Sequence, residues 1–356
     1  MRAAFFAEPG GPVLVEEVTA RPPGPHDLVV RLGAAGICHT DVLVASGGLP
    51  CPPAILGHEG AGVIDYVGAE VEGFQIGDRV VGLTIARCGR CTNCRRGKPY
   101  LCETAGLYGP ERADRVIGGA LVTTNGLGTF AEAMTVGAEN IIKVESDLPD
   151  AQLALVGCAF TTGFGAVFNT AGVVPGSVVA VIGCGGVGQA VIQAARVAKA
   201  DRIVAVDPIS AKRELAVKSG ATEAHDPSGK TLRDIVDEIG LAGADYVFDT
   251  VGKPATVQES YAALRRGGVV IAIGVGDLRT EIPIPGTLVV DSKSVMGCVF
   301  GSADVDHDIR RILSLAHEGL LDIDSLVSHR VPLDGVAEAM RALDAGEALR
   351  PVLIME

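Results

Sequence analysis

The chain has 356 residues, 48% of them hydrophobic and 21% charged, with 47 glycines and a net charge of −13. That length and apolar share suit two α/β domains with sizeable cores and exclude a disordered or fibrous chain. So acidic a protein repels nucleic acid and anionic lipid, which excludes both as expected partners.

The N-terminal stretch MRAAFFAEPGGPV is broken by Glu8 and Pro9 before an apolar core of signal-peptide length develops. No apolar run reads as long enough to cross a bilayer, so no membrane association and a cytoplasmic location are the expectation. In a reducing compartment clustered cysteines bind metal more often than they form disulfides.

The next chemistry-bearing stretches are GICHTD, residues 36–41, and GHEGAGVIDYVG, residues 57–68. They offer Cys38 and His58. RCGRCTNCRRGKPYLC, residues 87–102, then gathers Cys88, Cys91, Cys94 and Cys102. Short spacings let one loop wrap a single ion, and four thiolates fill a tetrahedral zinc shell. A closed shell has no room for substrate, so this loop reads as a structural zinc site. An iron–sulfur cluster and unconnected thiols are its rivals. Arg87, Arg90, Arg95, Arg96 and Lys98 flank the loop, and the acidic remainder makes them a solvated basic loop rather than a nucleic-acid finger.

GCAFTTGFG, residues 157–165, adds Cys158. Cys38, His58 and Cys158 would form a two-cysteine, one-histidine set that leaves a fourth position open, as a catalytic zinc needs. Spacing alone does not join residues so far apart. Taken singly, each cysteine reads as an inert core thiol and His58 as a satisfied core histidine.

SVVAVIG, from residue 177, is a short β-branched run and predicts a buried strand. A helical pattern, GVGQAVIQAARVAKA, follows, and Gly183-x-Gly185-x-x-Gly188 lies at the junction. The first glycine permits a tight turn, the second admits a pyrophosphate, and the third allows close helix–strand packing. Gly186 and Val187 complete the turn, whose helix N-terminus offers free N–H groups to phosphate. RIVAVD ends at Asp207, 19 residues after Gly188. A carboxylate there bonds both ribose hydroxyls of NAD and repels the extra phosphate of NADP. TEAHD, ADYVFDTVG, GGVVIAIGVG and SVMGCVFG read as further strands separated by helical patterns, hence a doubly wound parallel sheet. Two helices near DVDHDIRRILSLAHEG and LDGVAEAMRALDAG and a strand, RPVLIM, close the chain.

In that order, CHTD, GHEGAGVIDYVG, the four-cysteine loop, GCAFTTGFGA and GCGGVG resemble the zinc-dependent alcohol dehydrogenases of the medium-chain dehydrogenase/reductase superfamily. The likeness spans essentially the whole chain. It implies an α/β protein with a GroES-like, β-rich catalytic domain over residues 1–157 and 300–356, and a doubly wound Rossmann NAD-binding domain over residues 158–299. It implies catalytic zinc on Cys38, His58 and Cys158, and structural zinc on Cys88, Cys91, Cys94 and Cys102. Asp41 would accept the second ring N–H of a zinc-bound histidine. Glu59 would lie behind the metal and tune its charge or ligand exchange. Thr40 would bond the substrate oxygen and start a proton relay. His39 and Arg350 would face the cofactor pyrophosphate, and Lys212 would stand near the ribose. One position departs from the family. Its best-known members end their relay at a histidine where this chain has Leu43, which leaves the ribose, His39 or water as the proton's exit.

The resemblance also implies a pocket lined by Leu49, Thr84 and Phe130. Thr84 replaces a bulky aromatic of some relatives, a hint of room for a larger alcohol. The expected function is interconversion of an alcohol with an aldehyde or ketone, using NAD and two zinc ions per chain. A glutathione- or mycothiol-type formaldehyde-adduct dehydrogenase is the alternative. A zinc-stabilised binding protein without turnover is the reading from another class. A homodimer or homotetramer is expected. Cys51, Cys184 and Cys298 read as free thiols, and His225, His307, His317 and His329 as surface or core residues.

Overall fold

In the computed structural model, residues 1–20, 22–48, 54–104, 115–117, 120–124, 127–277 and 279–355 are described. Two units form: Met1–Ala159 with Asp304–Ser314 and Ile323–Glu356, and Phe160–Ala303 with Leu315–Asp322. The sequence-based boundary at 157/158 thus moves two residues along. Cys158 falls in the first unit, and Leu315–Asp322 joins the second. Gln193 accounts for that exchange: its Nε2 donates to Asp322 O (2.9 Å), and its Oε1 accepts the Asp322 N–H (2.7 Å).

The first unit is built around the strand Leu28–Gly36. Its buried and half-exposed residues alternate until Gly33, after which Ala34–Gly36 are all buried. Glu59–Val67, Ala133–Val136 and Pro351–Ile354 all pair antiparallel to it. Arg79–Gly82 and Ile141–Lys143 extend the sheet on one side, and His329–Pro332 on the other. The C-terminal strand thereby returns to the N-terminal half, with Val352 opposite Gly36 and the Ile37 N–H donating to Pro351 O at 3.0 Å. A second sheet contains Arg2–Phe6, Val13–Glu17 and Ala54–Ile55. Ala4, Phe6, Ile37, Leu56, Phe130 and Leu353 share one core with the helix Val336–Asp344.

The second unit is a six-stranded sheet. In chain order its strands are Val178–Ile182, Arg202–Val206, Glu223–His225, Ala244–Asp249, Leu264–Ala272 and Ser294–Gly297. All of its pairings are parallel, and the spatial order is third, second, first, fourth, fifth, sixth. That is the order of a dinucleotide-binding doubly wound sheet, whose ligand crevice opens where the order reverses beside the first strand. The helices Gly186–Val197, Ser210–Ser219, Leu232–Glu238 and Pro254–Ala263 make the crossovers.

Asp150–Ala171 is helical throughout, in α- and π-type turns, and corrects the expectation about apolar length. By length and composition it suffices to cross a membrane. Of its most apolar 18-residue window, 83% is buried within the fold, as in a core helix.

Candidate functional site

Cys38 ends the tightly packed run after Leu28–Gly36 and stands at the N-cap of the helix His39–Ala45. Asp41, in the first turn, is buried and accepts the Cys38 N–H on Oδ2 at 2.9 Å. Its other oxygen accepts the Gly57 N–H (3.2 Å) and lies 3.1 Å from His58 Nδ1. One carboxylate therefore caps the helix carrying the first ligand and orients the second. With Nδ1 turned to Asp41, Nε2 is the ring nitrogen that would ligate a metal. Gly57 must be glycine. Its φ is +99°, and a Cβ there would sit 2.3 Å from Thr129 Oγ1.

Cys158 lies in a π-type turn, Val156–Phe160, a widening of the helix that re-aims side chains and recurs at functional sites. Gly157 lets that turn press onto the strand Arg79–Gly82, since a Cβ would come 2.2 Å from Gly82 O. Thr84 Oγ1 donates toward His58 O (3.4 Å) and Gly157 O (3.3 Å), tying together the segments that carry the second and third ligands.

The donor atoms of Cys38, His58, Glu59 and Cys158 all lie within 4.8 Å of one another. Cys38, His58 and Glu59 are buried and Cys158 is half-buried. A Cys158 hydrogen bond pulls the Cys38 thiol well below its ordinary range, helped by Arg350 and opposed by burial. Burial disfavours charge on His58, yet Asp41 and Cys158 together raise it well above the usual histidine value. Two soft sulfur donors and one imidazole this close together suit a soft divalent ion such as zinc.

Glu59 is the finding the sequence did not supply in full. It is fully buried, and neither carboxylate oxygen has a hydrogen-bond partner among the described residues. Its counter-charge is Arg350, whose Nη2 is 3.1 Å from Glu59 Oε1 and whose Nη1 donates to Ile37 O at 3.1 Å. Register explains the placement. Gly36 faces Glu59 across the strands, and a Cβ on Gly36 would lie 2.1 Å from Glu59 Oε2. Desolvation lifts Glu59 to about 7, with Arg350 pulling the other way. Arg350 is itself buried and held charged by Glu59 and the cysteines despite that burial.

The other predicted residues fall variously. Thr40 is half-buried with Oγ1 3.7 Å from Cys38 Sγ, and His39 is exposed. Phe130 is a fully buried core side chain. Leu49 and Cys51 lie outside the described residues. Cys184 and Cys298 are free and buried. His225, His307 and His329 lie beside Glu223, Asp308 and Ser328 respectively.

In the four-cysteine loop, the thiols of Cys88, Cys91, Cys94 and Cys102 also lie within 4.8 Å of one another. Tetrahedral zinc with bonds of about 2.3 Å spaces its sulfurs about 3.8 Å apart, so the loop is close to that shape. Backbone N–H groups already point at the sulfurs: Cys88 to Cys102 (3.4 Å), Cys91 to Cys88 (3.3 Å) and Cys94 to Cys91 (3.4 Å). The N–H groups of Arg90 and Cys91 hold Cys88 down at about 6, whereas desolvation and Cys91 push Cys94 up to about 12. A divalent ion bound there would take all four as thiolates.

The glycine turn lies in the second unit. Gly183 has φ +86°, a Cβ on Gly185 would meet nothing within 4 Å, and a Cβ on Gly188 would fall 1.9 Å from Gly183 O. Asp207 is buried at the end of its strand and Lys212 is half-buried nearby in sequence. The cradle fits a dinucleotide.

Comparison with known proteins agrees with both halves. Residues 24–146 match the alcohol dehydrogenase GroES-like domain, and residues 186–318 the zinc-binding dehydrogenase family. S-(hydroxymethyl)glutathione dehydrogenase of Escherichia coli O1:K1 / APEC is 35% identical over 99% of both chains. The crystal structure of benzyl alcohol dehydrogenase from Acinetobacter calcoaceticus superposes with a TM-score of 0.92 at 29% identity, covering 100% of this chain and 99% of that one. A Sinorhizobium meliloti 1021 protein bound to NADP gives a TM-score of 0.83 at 28% identity, over 99% and 98% of the two chains. With the fold, the two cysteine-rich donor sets and full-length relatives in agreement, the chain belongs to the zinc-dependent alcohol dehydrogenases of the medium-chain dehydrogenase/reductase superfamily.

Proposed function

We propose that this protein interconverts an alcohol with an aldehyde or ketone, using NAD(H) and a zinc ion on Cys38, His58 and Cys158. The observation that carries the reading is the two-cysteine, one-histidine set, in which Asp41 bonds the Cys38 N–H and orients the His58 ring. When bound, zinc supplies Lewis acidity toward the substrate oxygen. Bound NAD would supply the hydride acceptor, and the glycine turn Gly183–Gly188 would hold it. Thr40 takes the hydroxyl proton and passes on its own. Leu43 carries no titratable group, so the proton leaves by a ribose hydroxyl, the exposed His39 or water. In balance, the alcohol gives a hydride to NAD and a proton to solvent. Asp207 supports NAD over NADP, because its charge opposes a 2′-phosphate.

The name of the Escherichia coli relative favours a second reading, in which the same site oxidises the hydroxyl of a thiol–formaldehyde adduct. Absorbance of NADH separates the two across primary, secondary, aromatic and long-chain alcohols, with formaldehyde tested with and without glutathione or mycothiol. We expect turnover of free alcohols, at least about tenfold better with NAD than with NADP, a preference worth about 1.4 kcal/mol. Activity only with added thiol moves the assignment to the adduct. Silence throughout, with both metals bound, places the substrate outside this panel or favours the binding protein without turnover.

Self-association also belongs to this proposal. Ser294–Gly297 is an edge strand of the parallel sheet, and Val289 and Val290, just before it, are 76% and 67% exposed. An open edge beside exposed valines invites pairing with a second copy. Sedimentation velocity should therefore show a dimer or tetramer, and a monomer at micromolar concentration would reject it.

A further inference from the structure

Gly183 and Cys184 have all four of their backbone polar groups bonded. The Gly183 N–H donates to Val206 O (2.9 Å), and Gly183 O accepts from Thr250 Oγ1 (2.8 Å). The Cys184 N–H donates to Asp207 Oδ2 (2.8 Å), and Cys184 O accepts from Gln189 Nε2 (3.0 Å). The peptide plane between the two residues is thus gripped on both edges. Beyond it the pattern ends. The helix begins at Gly186, where first-turn N–H groups have no partner within the helix.

Each grip comes from a different place. Thr250 follows the strand Ala244–Asp249; its N–H also bonds Ile182 O (3.0 Å), and its hydroxyl lies 3.0 Å from the same oxygen. Gln189 sits one residue past the third glycine, is fully buried, and reaches Lys212 O (3.1 Å) with the same nitrogen. Its Oε1 is buried without a hydrogen-bond partner among the described residues, so the side chain spends its amide N–H groups on the two carbonyls alone. A glycine turn has weak conformational preferences of its own, because glycine populates φ > 0 and φ < 0 alike. Something outside the turn must choose one.

We propose that Thr250 and Gln189 are positioning residues for the dinucleotide pyrophosphate. By holding the Gly183 and Cys184 carbonyls away from the ligand, they keep carbonyl dipoles out of the phosphate cradle. The same grip aims the first-turn N–H groups into it. The inference rests on the reading of this turn as a dinucleotide site, and it deepens that reading.

Calorimetric titration of the full zinc-loaded chain with NADH, ADP-ribose and adenosine tests it, since adenosine lacks the pyrophosphate. Thr250→Val should weaken NADH and ADP-ribose about tenfold, the size of one lost hydrogen bond that leaves a carbonyl unpaired, and should move adenosine by less than about twofold. Thr250→Ser, which keeps the hydroxyl, should restore most of the lost affinity. Equal weakening of all three ligands, or no change in ADP-ribose, overturns the proposal. Should Thr250→Val not fold, Gln189→Met decides by the same contrast. If the unsubstituted chain binds neither NADH nor ADP-ribose, it is the dinucleotide reading that fails.

Discussion

Replacing Cys38 by serine should remove one of two zinc ions and lower kcat/KM by about a thousandfold or more, since Lewis-acid stabilisation is worth several kcal/mol and each 1.36 kcal/mol is tenfold in rate. Serine is a hard, poorly ionised replacement for a thiol that sits 7% exposed and is pulled well below its ordinary range by its neighbours. The remaining His58 and Cys158 lack the charge to retain the ion. Metal analysis should still find one zinc per chain, on the four-cysteine loop, whose donors lie elsewhere in the sequence and fold. NADH binding should persist, because the glycine turn belongs to the other unit. Steady-state rates, zinc content and NADH titration on one preparation check all three expectations. Full activity with a single zinc would remove this site from the chemistry. A chain that never turned over but bound its ligands unchanged would be the binding protein.

The second large effect is on stability. Arg350→Met strands Glu59 as a buried carboxylate, and removing one partner of a buried ion pair costs about 3–5 kcal/mol. For a unit of this size that is a fall in Tm of about 10 °C. The loss should depend on pH in a definite sense. Glu59 titrates at about 7 in the folded chain, against 4.5 for an ordinary glutamate, because burial opposes its charge. A folded value above the unfolded one means that protonation favours folding. That contribution is complete below about 4.5 and lost as pH rises through about 7. Without the guanidinium the folded value climbs further, so the variant should be weakest at pH 8 and recover towards pH 6. Calorimetry across that range checks the sign. A second substitution, Glu59→Gln, should return a large part of the stability of Arg350→Met, since an amide needs no counter-charge. If the single variant melts like the parent at pH 8, the ion pair carries no stability.

The two cysteine sets differ in how they could be read. The loop of Cys88, Cys91, Cys94 and Cys102 is local, and fifteen residues of chain cannot keep those thiols far apart. The glycine turn is local too: a strand, three glycines at fixed spacing and a helix leave few conformations. These features, the alternation of strands and helices, and the carboxylate at Asp207 were determined by neighbours in sequence. Cys38, His58 and Cys158 were legible only through resemblance to a family, because what unites them is the tertiary packing of a helix N-cap, a strand's start and a helical π-type turn.

Register is what hid the rest. Arg350 meets Glu59 because the C-terminal strand pairs with Leu28–Gly36, more than three hundred residues earlier. Gly36 is glycine because Glu59 stands opposite it. Leu315–Asp322 joins the parallel-sheet unit through Gln193, and Thr250 reaches the glycine turn because the fourth strand lies beside the first. The sequence by itself determined which local elements form and which donors they carry. Only the tertiary structure decided which of them share a buried charge or a hydrogen bond. Backbone spacing reaches only a few residues along the chain, whereas ion pairs and hydrogen bonds act between whatever the packed sheets bring within about 3 Å.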